Sequence, residues 1–187
     1  MKPLDIRDVA IIDAFPIYNC GKTALSVGCG EGRIDFHLAN LGYRVYATDI
    51  KRHETWQEMP NLTFHQSDIF DLASFPMKEA PVVICSEVME HLKEYKGALK
   101  NLLFLATVRL ILTIPFKKSY FSSSHCNFWD DRESDEYKNV NEFISLCVPY
   151  SVSISKIRTK AKDVEMGQYE YLITVDKRQN FNKGHRK

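Results

Sequence analysis

Apolar and polar residues alternate along the chain in blocks that predict strands and helices in turn. Five blocks, at 23–28, 44–50, 62–69, 80–88 and 109–116, have the length and the largely apolar character of buried strands. The segments between them, at 4–16, 32–42 and 93–107, have apolar residues at helical spacing. Strands that alternate with helices form right-handed crossovers, so the pattern predicts an α/β fold built on a mostly parallel sheet.

Two of the predicted helices have a defined apolar stripe, which marks the face that we expect to be buried. The stripes are formed by Leu4, Val9, Ile12 and Phe15 in the first helix and by Ile34, Leu38 and Leu41 in the second. Gly42 follows the second stripe directly and is a typical C-terminal stop.

The last third of the chain has a different pattern. Residues 139–148 predict a helix, and 151–160 and 169–178 predict two strands that a gap around Gly167 would join as an antiparallel hairpin. The polar, serine-rich segment 117–139 predicts a long loop of functional importance, with an aromatic group that could close over a substrate or pack in the core. That group consists of Tyr120, Phe121, Phe128 and Trp129. We predict one domain over residues 1–176 and a basic, disordered tail over 177–187.

Composition narrows the class of protein. The chain has 187 residues, of which 44% are hydrophobic, and a net charge of +1, which argues against a protein that coats a nucleic-acid backbone. Its five cysteines are an odd number without a CxxC spacing, as expected for free thiols in a reducing compartment. The charged N-terminal segment does not resemble a signal peptide, and no apolar run is long enough to span a membrane. These features predict a soluble, cytoplasmic protein.

A glycine-rich turn follows the first predicted strand. Gly28 and Gly30 lie where the strand turns into a helix, so the backbone can bend sharply there and a ligand can approach without meeting a Cβ atom. Gly32 would let the helix begin close to the strand. Asp49 ends the second strand, where a carboxylate can accept hydrogen bonds from both hydroxyls of a ribose. The stretch predicts a nucleoside-binding half-site, but this turn alone would suit NAD, FAD or another nucleoside ligand.

The next two predicted strands end in further polar groups. Asp68 follows the third strand, where it could accept a hydrogen bond from an adenine amino group or cap a turn, and Ile69 could contact the ring. Ser86 and Glu87 place a small polar residue and an acid at the end of the fourth strand.

In this order, the segments "SVGCGEG", "VYATDI", "SDIF", "SEVMEHL" and "LILTIPF" resemble the motifs of the class I S-adenosylmethionine-dependent methyltransferases. The resemblance covers about residues 20–176 and implies a doubly wound, mostly parallel seven-stranded sheet with a reversed last strand and helices on both faces. It implies S-adenosylmethionine as the cofactor and S-adenosylhomocysteine as the product. The cofactor-binding residues that it implies are Gly28, Cys29, Gly30, Asp49, Ile50, Asp68, Ile69 and Ser86.

One position departs from that family. An acid usually stands two residues before the first glycine and helps to organise the methionine end of the cofactor, and here the residue is Ser26. We expect binding to be kept, with the role of the acid passing to Glu31 or to water.

Four residues have side chains suited to acid–base or metal chemistry. One ends the fourth strand, two follow it, and one lies in the long loop. Glu87, Glu90 and His91 have the spacing of one helical face, and His125 could join them. Together they resemble the metal site of the small-RNA 3′-terminal 2′-O-methyltransferases, whose metal binds the terminal ribose hydroxyls. Similar segments occur in metal-free small-molecule methyltransferases, so we expect no metal and predict His125, His91 and Glu87 as catalytic residues.

The sequence therefore predicts a methyltransferase that acts on a small-molecule acceptor, most simply at oxygen. "TIPF" stands where amino-methylating enzymes carry Asn/Asp-Pro-Pro-Tyr, which disfavours a base nitrogen as the acceptor. The alternatives are metal-assisted methylation of an RNA or nucleotide ribose and a non-catalytic S-adenosylmethionine-binding protein. Neither the acceptor nor the oligomeric state can be assigned from the sequence.

Overall fold

The fold is given by a computed structural model, which describes residues 3–16, 21–54, 56–116, 124–132, 134, 136–160 and 168–177. Its main sheet is formed by β1 Thr23–Val27, β2 Arg44–Asp49, β3 Leu62–Gln66, β4 Ala80–Ser86, β5 Ala106–Pro115, β8 Ser151–Lys160 and β9 Gln168–Asp176. The α-helices are α1 Ile6–Asp13, α2 Arg33–Asn40, α3 Tyr95–Leu105 and α4 Val140–Ser145. Two further strands of two residues each, β6 Trp129–Asp130 and β7 Lys138–Asn139, pair with each other as a separate small sheet.

The seven strands are ordered β3-β2-β1-β4-β5-β9-β8. The first five pair in parallel, β9 pairs antiparallel with β5, and β8 pairs antiparallel with β9. This arrangement confirms the predicted α/β fold with a reversed last strand. The order reverses between β1 and β4, so their carboxyl ends open a crevice of the kind in which such sheets bind ligands.

Apolar side chains cover both faces of the sheet, as the unalternating strand sequences predicted. Neighbouring residues of β1 point to opposite faces: Leu25 packs in the core layer under α3, whereas Ala24 packs in the layer under α1 and α2. Both residues are completely buried. Helices therefore lie on both faces, as expected.

Two predicted apolar stripes are wrong in part. Val9 is 45% exposed and Leu41 is 52% exposed, whereas the acids Asp8 and Asp35 are buried. Periodicity assigns a buried face to apolar residues, but these two carboxylates are turned inward toward arginines and a cavity at the end of the sheet.

The segment after β4 also differs from the prediction. Glu87, Glu90 and His91 do not lie on a regular helix, because the described chain forms only a short 3-10 helix over Met89–His91. Glu87 precedes it in a left-handed conformation, with φ of 58°. The three side chains are therefore arranged by a turn rather than by helical spacing.

Several predicted features fall outside the described residues: Gly167, Tyr120, Phe121 and the tail from residue 178 onward. Lys177, which begins that predicted tail, is described and donates a hydrogen bond to the backbone oxygen of Leu103 at 2.8 Å. Among the described helices, none combines the length and the apolar character that crossing a bilayer requires.

Candidate active site at the carboxyl edge of the sheet

The glycine-rich turn is held against β2 by its own backbone. The N–H groups of Gly28 and Cys29 both donate to the carbonyl oxygen of Thr48, at 2.8 and 3.0 Å. Gly28, Gly30 and Gly32 all have positive φ, between 55° and 77°, a region in which residues with a Cβ atom are disfavoured. The sequence around β1 therefore bends as predicted.

The three glycines face different surroundings. A Cβ atom on Gly28 would meet Cγ2 of Val88 at 2.3 Å, and one on Gly32 would meet the ring of Trp56 at 2.2 Å. A Cβ atom on Gly30 would meet no atom within 4 Å. Only Gly30 of these three thus faces open space, whereas Gly28 and Gly32 are required by the packing of the protein itself.

Asp49 supports the turn from the end of β2. Its Oδ2 accepts a hydrogen bond from the N–H of Gly30 at 2.9 Å, and its Oδ1 lies 3.5 Å from the N–H of Lys51. The carboxylate is partly exposed and retains acceptor capacity beyond these bonds. The structure thus links Asp49 to the glycine turn, next to the position predicted for a ribose.

Two residues predicted to contact the adenine, Asp68 and Ile69, have roles within the protein itself. Asp68 is exposed and its Oδ1 accepts from the N–H of Phe70 at 2.9 Å, so it caps a turn. The side chain of Ile69 is 6% exposed and belongs to the core under α3, which leaves little of it to contact a ring. Ile50 and Phe70 are 66% and 47% exposed and follow the ends of β2 and β3. An apolar contact to adenine from this edge stays a prediction.

A cavity of about 360 Å³ opens at the glycine turn, between β1, β4 and α1. Its polar wall contains two cations, Arg7 and Arg33, and four acids. The acids are Asp8, Glu31, Asp35 and Glu87. Gly28, Cys29, Gly30 and Ser86, four of the residues predicted to bind the cofactor, lie in the same wall.

Asp35 and Ser26 meet in this wall. Asp35 is 1% exposed and lies in the first turn of α2, with the side chain of Ser26 beside its carboxylate. Burial raises the pKa of Asp35 to about 7, although Ser26 and the backbone act to lower it. Its Oδ1 is buried and has no hydrogen-bond partner within the described part of the chain.

Arg7 joins three elements above the cavity. Its Nη1 lies 3.2 Å from Oε2 of Glu87 and 3.3 Å from Oε1 of Glu170, which links α1 to the end of β4 and to β9. Burial raises the pKa of Glu87, and the charge of Arg7 opposes that shift. Ser86, beside Glu87, shares a hydrogen bond of 2.8 Å between its Oγ and Oγ1 of Thr113.

The 3-10 turn carries a second group of ionisable side chains. Glu90, His91 and His125 each have a ligand atom within 4.8 Å of the others, and the two imidazole rings meet edge to face with centroids 4.6 Å apart. Glu90 is completely buried, and neither of its carboxylate oxygens has a hydrogen-bond partner among the described residues. Burial, with the nearby charge of Glu87, raises the pKa of Glu90 well above its usual range.

Asn127 fixes the loop that carries His125. Its buried side-chain amide donates to the carbonyl oxygens of Met89 and Leu92, at 3.0 and 2.7 Å. The N–H of Cys126 also donates to the carbonyl oxygen of Glu90 at 2.7 Å. These bonds hold the loop against the 3-10 turn. They bring His91 and His125, which are 34 positions apart in the sequence, into contact.

The two histidines differ in their surroundings. Nδ1 of His91 lies 3.3 Å from the carbonyl oxygen of Ser124, which would fix the proton on that nitrogen and leave Nε2 as the basic one. Burial, with the nearby charge of His91, lowers the pKa of His125, so its ring is neutral at pH 7.

Sequence reasoning missed Arg7, Asp35 and Asn127. The signals for them were weak: an acid at the third position of a helix is usually a solvated, dipole-stabilising group, and an arginine on a short helix is usually exposed. Asn127 could have been noticed as the amide inside the "HCNF" segment. The structure brings His91 and His125 together as predicted but pairs Glu87 with Arg7 instead of with them.

Comparisons with known proteins agree with this geometry. Residues 25–103 match the family model described as a methyltransferase domain. The ubiquinone biosynthesis O-methyltransferase of Acinetobacter baylyi is 27% identical over 88 residues, which are 43% of this chain and 37% of that protein. The corresponding protein of Acinetobacter baumannii is 28% identical over 88 residues, with the same shares. The match therefore spans little more than a third of the length of these curated relatives.

Solved structures are similar over most of the chain. Magnesium protoporphyrin IX methyltransferase (ChlM) from Synechocystis, with bound SAH, has a TM-score of 0.67 at 18% identity, covering 90% of this chain and 81% of that one. The methyltransferase domain of bacterial CtHen1-CN has a TM-score of 0.62 at 19% identity, covering 90% and 94%. At these identities the similarity establishes the fold.

The contrast between Gly30 and Gly32 yields a stability prediction. We expect Gly32→Ala to lower the free energy of unfolding by at least about 2 kcal/mol more than Gly30→Ala. Both variants force alanine into left-handed backbone, but only the first also drives a methyl group into the buried ring of Trp56. Urea denaturation of both variants measures the difference, and equal losses would contradict the packing described here.

Asp35 yields a prediction about pH. Because its pKa is raised to about 7 in the folded state, its burial costs stability progressively as pH rises from about 4 to about 7 and costs the most above pH 7. We expect Asp35→Asn to unfold at a higher temperature than the wild type at pH 8, with the difference shrinking toward pH 4. Thermal unfolding at both pH values measures this, and a variant that is less stable at pH 8 would show that the carboxylate is a stabilising group.

Proposed function

The chain carries a methyltransferase domain with the class I, Rossmann-like fold, and we propose that it binds S-adenosylmethionine and transfers the methyl group to an oxygen of a small-molecule acceptor. The observation that carries this proposal is the cavity at the glycine turn, which combines open space at Gly30 with two arginines and several acids. A zwitterionic amino acid attached to a nucleoside needs a wall of this mixed charge at one end and a sugar-binding acid at the other.

The residues present fit such a cofactor. The open face of Gly30 and the cavity wall would hold the methionine end, and Asp49 would accept hydrogen bonds from the ribose hydroxyls while it holds the turn through the Gly30 N–H. Asp68, Ile50 and Phe70 supply polar and apolar groups for the base at the neighbouring strand ends. When bound, S-adenosylmethionine would supply an electrophilic methyl carbon on its sulfonium.

The main task of the protein is then to align an acceptor and to remove its proton. His125 is suited to that step because its lowered pKa keeps the imidazole neutral, with a lone pair available, at pH 7. His91 lies against it with the ring centroids 4.6 Å apart, and its charge helps to keep the pKa of His125 low. Glu87, held by Arg7 at the rim of the cavity, lies beside Ser86 where an acceptor would enter.

A small-molecule oxygen acceptor is supported by three further points. The net charge of +1 gives no strong attraction to a polyanion. The Acinetobacter proteins that this chain resembles over part of its length are named as O-methyltransferases of ubiquinone biosynthesis. A base near the acceptor also suits a hydroxyl better than a carboxylate, which needs no deprotonation.

Calorimetric titration with S-adenosylhomocysteine tests the proposed cofactor site. We expect micromolar-range binding to the wild type and binding about 10- to 100-fold weaker in Asp49→Ala, because two hydroxyl hydrogen bonds to a charged group are lost. Asp13→Ala, which removes an exposed acid from α1, is the matched control and should bind as the wild type does. A wild type that does not bind would overturn the proposed function.

A second candidate is metal-assisted methylation of an RNA or nucleotide ribose. The observation that favours it is Glu90, whose two buried oxygens lack partners in the described chain and lie beside His91 and His125. A carboxylate and two imidazoles can ligate a divalent transition metal. Glu87, the fourth residue of the predicted set, is held by Arg7 and stands outside this cluster.

Titration with Mn²⁺ alone separates the two candidates. Under the leading proposal we expect the wild type to bind Mn²⁺ no more tightly than Glu90→Gln does. One tight Mn²⁺ site in the wild type, lost in Glu90→Gln and kept in the exposed-acid control Glu79→Gln, would instead favour the metal-assisted reaction. Thermal unfolding should show that Glu90→Gln is folded, because it removes a buried carboxyl group with a raised pKa.

A further inference from the structure

The acid that is missing from β1 has a counterpart on α2. At the β1 position where the motif that this chain resembles has an acid, the chain has Ser26, whose side chain lies beside the carboxylate of Asp35. Both residues line the cavity at the glycine turn, and both are at least 95% buried. The carboxylate therefore lies next to the site that the missing side chain would occupy.

A structural role does not account for Asp35. An acid in the first turn of a helix is favourable when it caps N–H groups or faces solvent, yet this one is 1% exposed. Its Oδ1 is buried without a hydrogen-bond partner among the residues described. An apolar residue of similar size would fill the same space without that cost, so a group that is absent from the free protein is the better explanation for the second oxygen.

We infer that Asp35, which lies beside Ser26 in the cavity wall, supplies the negative charge that pairs with the ammonium group at the methionine end of S-adenosylmethionine. This inference rests on the proposed function and deepens it by assigning the acid that the strand lacks. Arg7 and Arg33 lie in the same wall, paired with acids of the protein, and would add positive charge near the carboxylate of the same ligand. Glu31, the substitute suggested by the sequence, is exposed and is a less suitable partner for a desolvated cation.

Two ligands isolate the methionine end. S-adenosylhomocysteine carries the amino acid, whereas 5′-methylthioadenosine keeps the nucleoside and the sulfur but lacks it. We expect Asp35→Asn to weaken binding of S-adenosylhomocysteine by about 10- to 100-fold in calorimetric titration and to leave that of 5′-methylthioadenosine within about threefold of the wild type. Asp13→Asn, which neutralises an exposed acid of α1 that does not line the cavity, should change neither affinity by more than about threefold.

Moving the charge back to the strand provides a second test. Asp35→Ser alone should lose affinity for S-adenosylhomocysteine, and the double variant with Ser26→Asp should recover at least about tenfold of it, because the carboxylate again lies at the junction of β1 and α2. A role in folding alone predicts no such recovery in affinity. The recovery also keeps the test decisive if Asp35→Ser is poorly folded.

The outcomes are distinguishable. Unchanged binding of S-adenosylhomocysteine in Asp35→Asn would overturn the inference and leave the proposed function standing. Equal losses for both ligands would show that Asp35 supports the turn as a whole and would also overturn it. A wild type that binds neither ligand would overturn the proposed cofactor and this inference together.

Discussion

The structure at the carboxyl edge of the sheet depends on the ion pairs that the guanidinium of Arg7 makes. The guanidinium lies within 3.3 Å of carboxylate oxygens of both Glu87 and Glu170, and so connects α1 to the end of β4 and to β9. Burial acts to lower the pKa of Arg7, but the charges of Glu170 and Glu87 raise it, so the group stays a cation. Without that cation, the neighbouring carboxylates of Glu87 and Glu170 would lose the positive charge that they share, which is costly in a region of low dielectric.

Two other buried acids, Asp35 and Glu90, are not neutralised by Arg7 to the same extent. Each has at least one carboxylate oxygen with no hydrogen-bond partner in the described structure, and burial raises the pKa of each. A protein that has optimised its own stability would replace such groups, so their presence marks places where a ligand or a reaction needs them. The same reasoning applies to Glu87, whose left-handed backbone costs about 1–3 kcal/mol.

Sequence patterns predicted the parallel strands, the closing antiparallel hairpin and the glycine turn, because buried parallel strands need unbroken apolar runs and a sharp turn needs glycine. They failed where polar residues are buried. Asp8 and Asp35 occupy inward positions that periodicity assigns to apolar residues, since it has no term for a carboxylate buried beside an arginine or a cavity. Spacing likewise placed Glu87 with Glu90 and His91 on one helix face, whereas a 3-10 turn separates Glu87 from the other two.

The Ser26–Asp35 pair shows that an acid expected at one position of a motif can be supplied by a residue elsewhere in the chain that folds to the same place. The turn between β1 and α2 folds the helix back over the strand, because the N–H groups of Gly28 and Cys29 are both fixed to Thr48. A residue of the strand and a residue of the first helical turn then reach the same point, so a charge there can come from either. A serine at the strand position therefore does not by itself indicate a lost site, since a buried carboxylate, Asp35, lines the same cavity wall.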